Sequence, residues 1–527
     1  MSLISVNGGY INREHNAYVL RFRDPAGVLA AIPEAQRVPG TPDDVLAVPF
    51  TVATGVKLRA LGTYVPGTIR YKYHWPHPPA QPPFSWQITT AEFLTQHPRC
   101  FVFNSAGTGK TRAALWAYDF LKFANPLLDP LLVLCPKSCV RSVWAEEAKV
   151  VLPHMHTMTL EGDAKARTAN IKAEANIYVA NHHTLIAAGE PLERRRWGAI
   201  VIDEATFLQT PSTQMFKGVA RLLRKNPDTA VWLLTATPAS QSPQQAYGLA
   251  KTLRPTNVGY TFTEWRDTVM FKPNPNGFKW VPRRGATEQV HKLLQPAIRI
   301  DKKECLAELP PITLTTMECP MDKGTQRLYD EMKREGLIKI RQSVISPVNA
   351  ANLRSKLLQI ASGVIIGEDG SHRLAIQNRM AILREAIETS DSKVIVCVTF
   401  TEAIHAVADA LRKDYSVEVL NGEVTSASKR QQIINDFQNK PDPHILVIHP
   451  KTAGHGLTLT AASTIVWWSP TDSQEQYKQA CERTDRPGQK HNQRIIHLCS
   501  SPTEKYVYDK LASLGEQQID LLSLYSA

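Results

Sequence analysis

A glycine turn between an apolar run and a helix-forming run constrains this chain more than any other stretch. Cys100-Phe101-Val102-Phe103 leads into Asn104-Ser105-Ala106-Gly107-Thr108-Gly109-Lys110-Thr111, and Arg112-Ala113-Ala114-Leu115-Trp116 follows. A short buried strand, a turn carrying Gly107, Thr108 and Gly109, and a helix opening on Lys110 and Thr111 aim backbone N–H groups and a helix N-terminus at an anion. Lys110 adds a point charge, and Thr111 offers a hydroxyl to Mg²⁺. Asn104 stands where the longer signature carries glycine, so the match is to the shorter Gly-x-Gly-Lys-Thr form. The spacing predicts a nucleotide triphosphate site, and a strand-turn-helix of this kind predicts an α/β fold.

From Phe84 onward short apolar runs alternate with helical patterns, which implies crossover units and mostly parallel sheets. The first block of expected strands is Phe101–Phe103, Leu131–Cys135, Ile177–Ala180, Ala199–Ile202 and Val231–Leu234. The second is Lys393–Val398, Val417–Leu420, His444–Ile448, Thr464–Trp468 and Arg494–Leu498. Two α/β lobes account for both blocks, at 84–255 and 391–500, with helical insertions and the inter-lobe connection at 256–390 and a C-terminal helix at 501–527. Residues 1–83 read as a small α+β accessory module ending in Trp75-Pro76-His77-Pro78-Pro79-Ala80-Gln81-Pro82-Pro83, a semi-rigid polyproline linker. A length of 527 residues fits about three domains.

Hydrophobic residues at 43% and charged ones at 21% exclude a disordered chain. The net charge of +12 favours a polyanionic partner such as nucleic acid. Eight scattered cysteines without a Cys-x-x-Cys pair read as reduced core thiols, and His74-x-x-His77, His154-x-His156 and His182-His183 lack the cysteine or acidic partners of a metal site. Without a long apolar run or a signal-peptide pattern at Met1-Ser2-Leu3-Ile4-Ser5-Val6, the expectation is an intracellular, cytoplasmic protein with no membrane partner.

Three more stretches carry chemistry. Ala199-Ile200-Val201-Ile202-Asp203-Glu204 delivers two carboxylates at the C-terminal edge of a strand, where open α/β sheets bind ligands. Asp203 would hold Mg²⁺, and Glu204 would orient and deprotonate an attacking water. Leu234-Thr235-Ala236-Thr237-Pro238 ends another strand with two hydroxyls, Thr235 and Thr237, placed to bond the carboxylate strand and couple nucleotide state to motion. Far along the chain, Arg483 and Arg486 are spaced to share a helix face and reach one anion. Arginines from one lobe meeting phosphates held by the other would make hydrolysis depend on lobe closure.

Together with Thr452-Ala453-Gly454-His455-Gly456-Leu457-Thr458-Leu459-Thr460 and Arg483-Thr484-Asp485-Arg486-Pro487-Gly488-Gln489, these segments stand in the order of the superfamily two helicase motifs. They resemble the Swi/Snf translocases, whose closing motif also runs Arg-x-x-Arg-x-Gly-Gln. Leu132–Ser138 resembles motif Ia, Ser242–Leu249 the segment after motif III, and Leu306–Pro311 the crossing into the second lobe. The resemblance implies two tandem RecA-like lobes, ATP and Mg²⁺ as cofactors, and movement along duplex DNA through backbone contacts. It makes Gln87 an adenine-reading glutamine, Gly456 a glycine near the ribose, Gln479 the motif VI glutamine, and Arg483 and Arg486 an arginine-finger pair. It places DNA contacts at Lys137, Ser138, Asn181 and Thr452. Thr206 replaces the usual histidine of Asp-Glu-Ala-His, Ala236 a common glycine, and Asp485 a frequent histidine, which puts coupling, not catalysis, in question.

The segment His449–Gly456 resembles phage and prophage members, which argues against nucleosome remodelling and for a bacterial or phage-infected cytosol. Tyr18–Phe22, Val28–Pro33, Val48–Phe50 and Leu58–Gly62 resemble the small HARP domain of annealing helicases, a DNA-structure recognition module; the alternative is an unspecific protein-docking module. The expected function is a DNA-stimulated ATPase that remodels duplex or branched DNA by branch migration, fork regression or annealing. The alternatives are an ATP-gated nucleic-acid-binding switch in a larger assembly and an RNA helicase, the latter at odds with Thr206 and the closing motif.

Overall fold

The computed structural model describes residues 3–525 apart from 80, 255–257, 275–276, 278–279, 306–309, 343–346, 368–369, 453–457 and 487–488. At the N-terminus β1 (Leu3–Val6), β2 (Gly9–Asn12), β3 (Ala17–Arg21), β4 (Gln36–Arg37) and β5 (Val45–Pro49) pair antiparallel in the order β1-β2-β3-β5-β4. Alternation along β5 sends Leu46 and Val48 into a small core with Tyr18, Leu20 and Leu58.

The apolar runs become the strands of two parallel sheets. The first holds β6 (Arg99–Val102), β7 (Leu131–Cys135), β8 (Thr157–Thr159), β9 (Ile177–Asn181), β10 (Ala199–Asp203) and β11 (Ala230–Leu234). After the hairpin β12 (Met270–Phe271) and β13 (Val281–Pro282), β14 (Ala297–Ile298) completes it in the order β14-β6-β11-β10-β7-β9-β8. Every pairing in it is parallel. Phe101, Phe103, Leu132 and Leu134 face one core, and Cys100, Val102, Leu131 and Val133 face the other, so both faces are covered.

The second sheet contains β15 (Ile312–Glu318) and, beyond the hairpin β16 (Val364–Gly367) and β17 (Gly370–Arg373), β18 (Lys393–Cys397), β19 (Val417–Leu420), β20 (Ile445–Ile448), β21 (Ala462–Trp467) and β22 (Gln493–Cys499). Its order is β15-β22-β21-β18-β20-β19, again parallel throughout.

Three features differ from expectation. The stretch expected to be only insertion and connection gives a strand to each sheet, β14 to the first and β15 to the second. Both are edge strands, short in one case and largely exposed in the other, so neither leaves an apolar run in the sequence. The proline-rich linker is packed: Trp116 Nε1 donates to Pro76 O at 2.8 Å, Trp75 meets Trp116 edge-on, and Arg112 Nη2 donates to Gln81 Oε1 at 2.9 Å. The C-terminal helix Pro502–Ser523 starts in the second lobe's core through Val507 and Leu511 and ends in the first lobe's core through Leu521 and Leu522, with Tyr525 just beyond it in the same core. Among the described residues no helix is long and apolar enough to cross a membrane.

Candidate nucleotide site between the lobes

Parallel strands bring their C-terminal ends to one edge, and the loops after β6, β10 and β11 meet there. Gly107 and Gly109 lie at φ 81° and 79°, in the left-handed region open to glycine. A Cβ on Gly109 would fall 2.0 Å from Gln87 Nε2, so a side chain there would displace the Gln87 amide as well as strain the left-handed backbone. Gln87 is fixed in turn by Phe84 N–H, which donates to its Oε1 at 3.1 Å. Thr108 Oγ1 closes the loop on Ser105 O at 2.9 Å. Lys110 opens the helix Lys110–Ala124 and donates to Asn104 O at 2.8 Å and Ser105 O at 3.1 Å. Burial lowers its pKa, opposed by the charges of Glu204 and Asp203.

Asp203 ends β10, and its Oδ2 accepts from Trp144 Nε1 at 2.9 Å. Trp144 sits in a π-helical turn, Val140–Ala145, a distortion that recurs at functional sites. Glu204 follows at φ 50° and ψ 57°, a strained conformation for a non-glycine residue. Thr235 is fully buried, and its hydroxyl accepts from Thr237 N–H at 3.1 Å inside its own loop. The described bond from this loop toward the carboxylate strand is therefore not the one expected from Thr235. Gln209, in the turn after Glu204, donates to Thr237 O and Pro238 O, both at 3.1 Å.

The second lobe closes this edge. Arg483 and Arg486 follow the helix Gln474–Cys481, and Arg486 Cγ would be 4.0 Å from a Cβ on Gly107. Burial and the neighbouring charge of Arg486 push the Arg483 guanidinium down to about 9. A buried guanidinium beside a half-buried one is disfavoured by the second charge, in part offset by Glu204 and Glu482, and an anionic ligand would relieve it further. A cavity of about 720 Å³ is lined by Gln87, Gly107, Gly109, Lys110, Thr111, Asp203 and Glu204 from the first lobe and Arg486 from the second. A smaller one of about 50 Å³ adjoins Glu204, Thr237, Gln479, Arg483 and Arg486. Thr111 and Asp203 offer one hydroxyl and one carboxylate, a sparse set that suits Mg²⁺, which keeps waters and takes phosphate oxygens.

The SNF2-related domain matches residues 35–365, and the helicase conserved C-terminal domain matches residues 378–488. The chain belongs to the SNF2-related family. Its relatives include protein p41 of Acyrthosiphon pisum secondary endosymbiont phage 1, 27% identical over 76% of this chain and 88% of that one. The uncharacterized ATP-dependent helicase MG018 of Mycoplasma genitalium is 24% identical over 79% of this chain, which spans 39% of that protein. A solved SWI2/SNF2 ATPase core of Sulfolobus solfataricus in complex with dsDNA is 23% identical, covers 86% of this chain and 95% of its own, and superposes with a TM-score of 0.40.

Within this SNF2-related chain, Lys137 and Ser138 follow β7 while Asn181 ends β9, and Cys135 pairs directly with Asn181, so the two loops are neighbours. Thr452 follows β20 in the other lobe, its hydroxyl bonded to Leu420 O at 2.8 Å and His449 O at 2.7 Å. Gln479 donates to Glu475 Oε1 at 3.2 Å. Gly456 lies outside the described residues. Sequence reasoning missed Trp144, Phe84 and Arg112 at the larger cavity and its surroundings. A tryptophan inside an ordinary-looking helical run carries no signal that its N–H will meet Asp203.

Proposed function

We propose that this SNF2-type ATP-dependent helicase or translocase hydrolyses ATP in the inter-lobe cavity to move on duplex DNA and remodel branched replication or recombination intermediates. The observation that carries the reading is the single cavity in which Lys110 and Glu204 of one lobe face Arg486 of the other. Lys110 would leave the carbonyls of Asn104 and Ser105 for the β- and γ-phosphates, and Glu204 would orient and deprotonate water. Arg483 and Arg486 would stabilise the charge of the transferring phosphoryl group, so turnover waits on closure. Thr111 and Asp203 would hold Mg²⁺, whose chemistry is to neutralise phosphate charge. Gln87 and Phe84, joined by a hydrogen bond in the wall of the cavity, would receive the base.

Lys137, Ser138, Asn181 and Thr452, on loops at the C-terminal edges of the two sheets, are the proposed DNA contacts. The net charge of +12 supports a phosphate-tracking partner. The N-terminal module, whose Arg70 on the helix Ile69–Lys72 pairs with Glu92 of the helix Ser85–Gln96, is proposed to recognise DNA structure. The test is ATP turnover with single-stranded, duplex, forked and four-way DNA, and with RNA, at fixed salt. Stimulation by duplex or forked DNA is expected, and no stimulation by any DNA sinks the reading. Triplex displacement by the wild type but not by Glu204→Gln separates a motor from an ATP-gated switch.

A further inference from the structure

Two polar contacts cross between the lobes beside the arginines. Thr206 Oγ1, two residues beyond Glu204, donates to Glu475 Oε1 at 2.9 Å, and Glu475 also accepts from Gln479. Lys302 Nζ lies 2.8 Å from Asp485 Oδ2, with side chains only 9% and 15% exposed. The Lys302–Asp485 contact is anchored on both sides. Lys302 N–H donates to Ser105 Oγ at 3.2 Å, Ser105 N–H donates to Ile300 O at 3.1 Å, and Ser105 O receives Lys110 Nζ. In the second lobe, Asp485 Oδ1 accepts from Gln493 Nε2 at 3.1 Å, and Gln493 Oε1 accepts from Thr484 Oγ1 at 2.8 Å. Asp485 stands between Arg483 and Arg486 in the chain, so whatever holds Asp485 holds both guanidiniums.

We propose that Lys302–Asp485 and Thr206–Glu475 form a two-point latch that seats Arg483 and Arg486 against the phosphate loop, making these four residues positioning residues for hydrolysis. The inference rests on the proposed ATP turnover and names what regulates it: the fingers reach the site only when the latch is made. Withdrawal from water gives the Lys302–Asp485 pair weight that an exposed ion pair lacks, because losing either partner strands the other charge in a dry interface. Neither latch residue of the first lobe lines the larger cavity, so removing the latch leaves the binding surface of Lys110 and Gln87 in place.

The test uses the full chain with DNA and compares Lys302→Met, Asp485→Asn, Thr206→Val, the conservative Lys302→Arg, and the exchange Lys302→Asp with Asp485→Lys. Turnover should fall about tenfold or more in Lys302→Met and Asp485→Asn and less in Thr206→Val, while affinity for a fluorescent ATP analogue stays within about twofold. Lys302→Arg and the exchange should recover most of the loss. Unchanged turnover in the single variants overturns the latch, as does affinity falling in step with turnover or an exchange no better than Lys302→Met and Asp485→Asn. Small-angle scattering with the non-hydrolysable AMPPNP reads closure independently of turnover, and the single variants should be more extended than the wild type. If the wild type turns over ATP but the variants close normally, the latch fails and the proposed function stands. If closure is lost in the variants of a wild type that hydrolyses no ATP, the proposed function fails and takes the role in hydrolysis with it, and only the closing contact between the lobes stands.

Discussion

At Glu204 the chain holds a carboxylate on a left-handed backbone, φ 50°, at a cost of about 1–3 kcal/mol that the surrounding turn must offset. Such a backbone turns the residue off the strand axis into the lining of the cavity. Replacing Arg486 with Ala is expected to reduce turnover about 10³-fold or more without shifting the thermal midpoint, since it lines a cavity and not a core. Steady-state ATPase beside a melting curve checks this. Lys110→Ala should abolish turnover equally, but through lost nucleotide affinity, which equilibrium binding distinguishes.

A second residue-scale effect concerns pH. Burial holds His497 neutral, its pKa lowered to about 4, stacked on Tyr508 at 3.9 Å. The unfolded chain binds this proton near 6.5 and the native one only near 4, so stability falls as pH drops through that window. The loss reaches about 3 kcal/mol when the window is crossed. Urea melts at pH 7 and pH 4 should show a smaller acid loss in His497→Gln than in the wild type.

Among the elements, the C-terminal helix and the proline-rich strap tie parts together that the sequence presents as separate. Tyr525 packs its ring on Phe103 at 4.9 Å and its hydroxyl reaches Val290 O at 3.5 Å, both in the first lobe. Truncating this ring, Tyr525→Ala, should cost about 3 kcal/mol of first-lobe stability, read by calorimetry as an earlier transition for that lobe. The strap, fastened by Trp116 and Arg112, brings Gln81 and Pro82 to the wall of the nucleotide cavity. Proline-rich composition shows only that the segment is extended; whether it hangs free or packs depends on the tryptophan 40 residues away that receives it.

For the whole molecule, a net charge of +12 suits an extended polyanion. The DNA concentration for half-maximal ATPase stimulation should rise about 10³-fold between 50 and 200 mM salt for six or more phosphate contacts. A shallow salt dependence would point instead to contacts with bases.

The central strands were readable because each is a continuous apolar run, buried on both faces, and the phosphate loop because only glycine fits its two left-handed positions. Local chemistry of that kind needs no knowledge of distant partners. The edge strands β8, β14 and β15 left little trace, since half-exposed strands need no apolar run. Sequence alone also named Lys110, Asp203, Glu204, Arg483 and Arg486, each by its place in a motif. What only the tertiary structure decided is which distant residues meet: Trp144 with Asp203 inside the first lobe, and Thr206 with Glu475 and Lys302 with Asp485 across the lobes. These pairs join segments far apart in the chain, and nothing in either segment specifies its partner. Their contact follows from how two sheets, the helix Pro502–Ser523 and the loops at their edges pack as one body, a property of the folded whole.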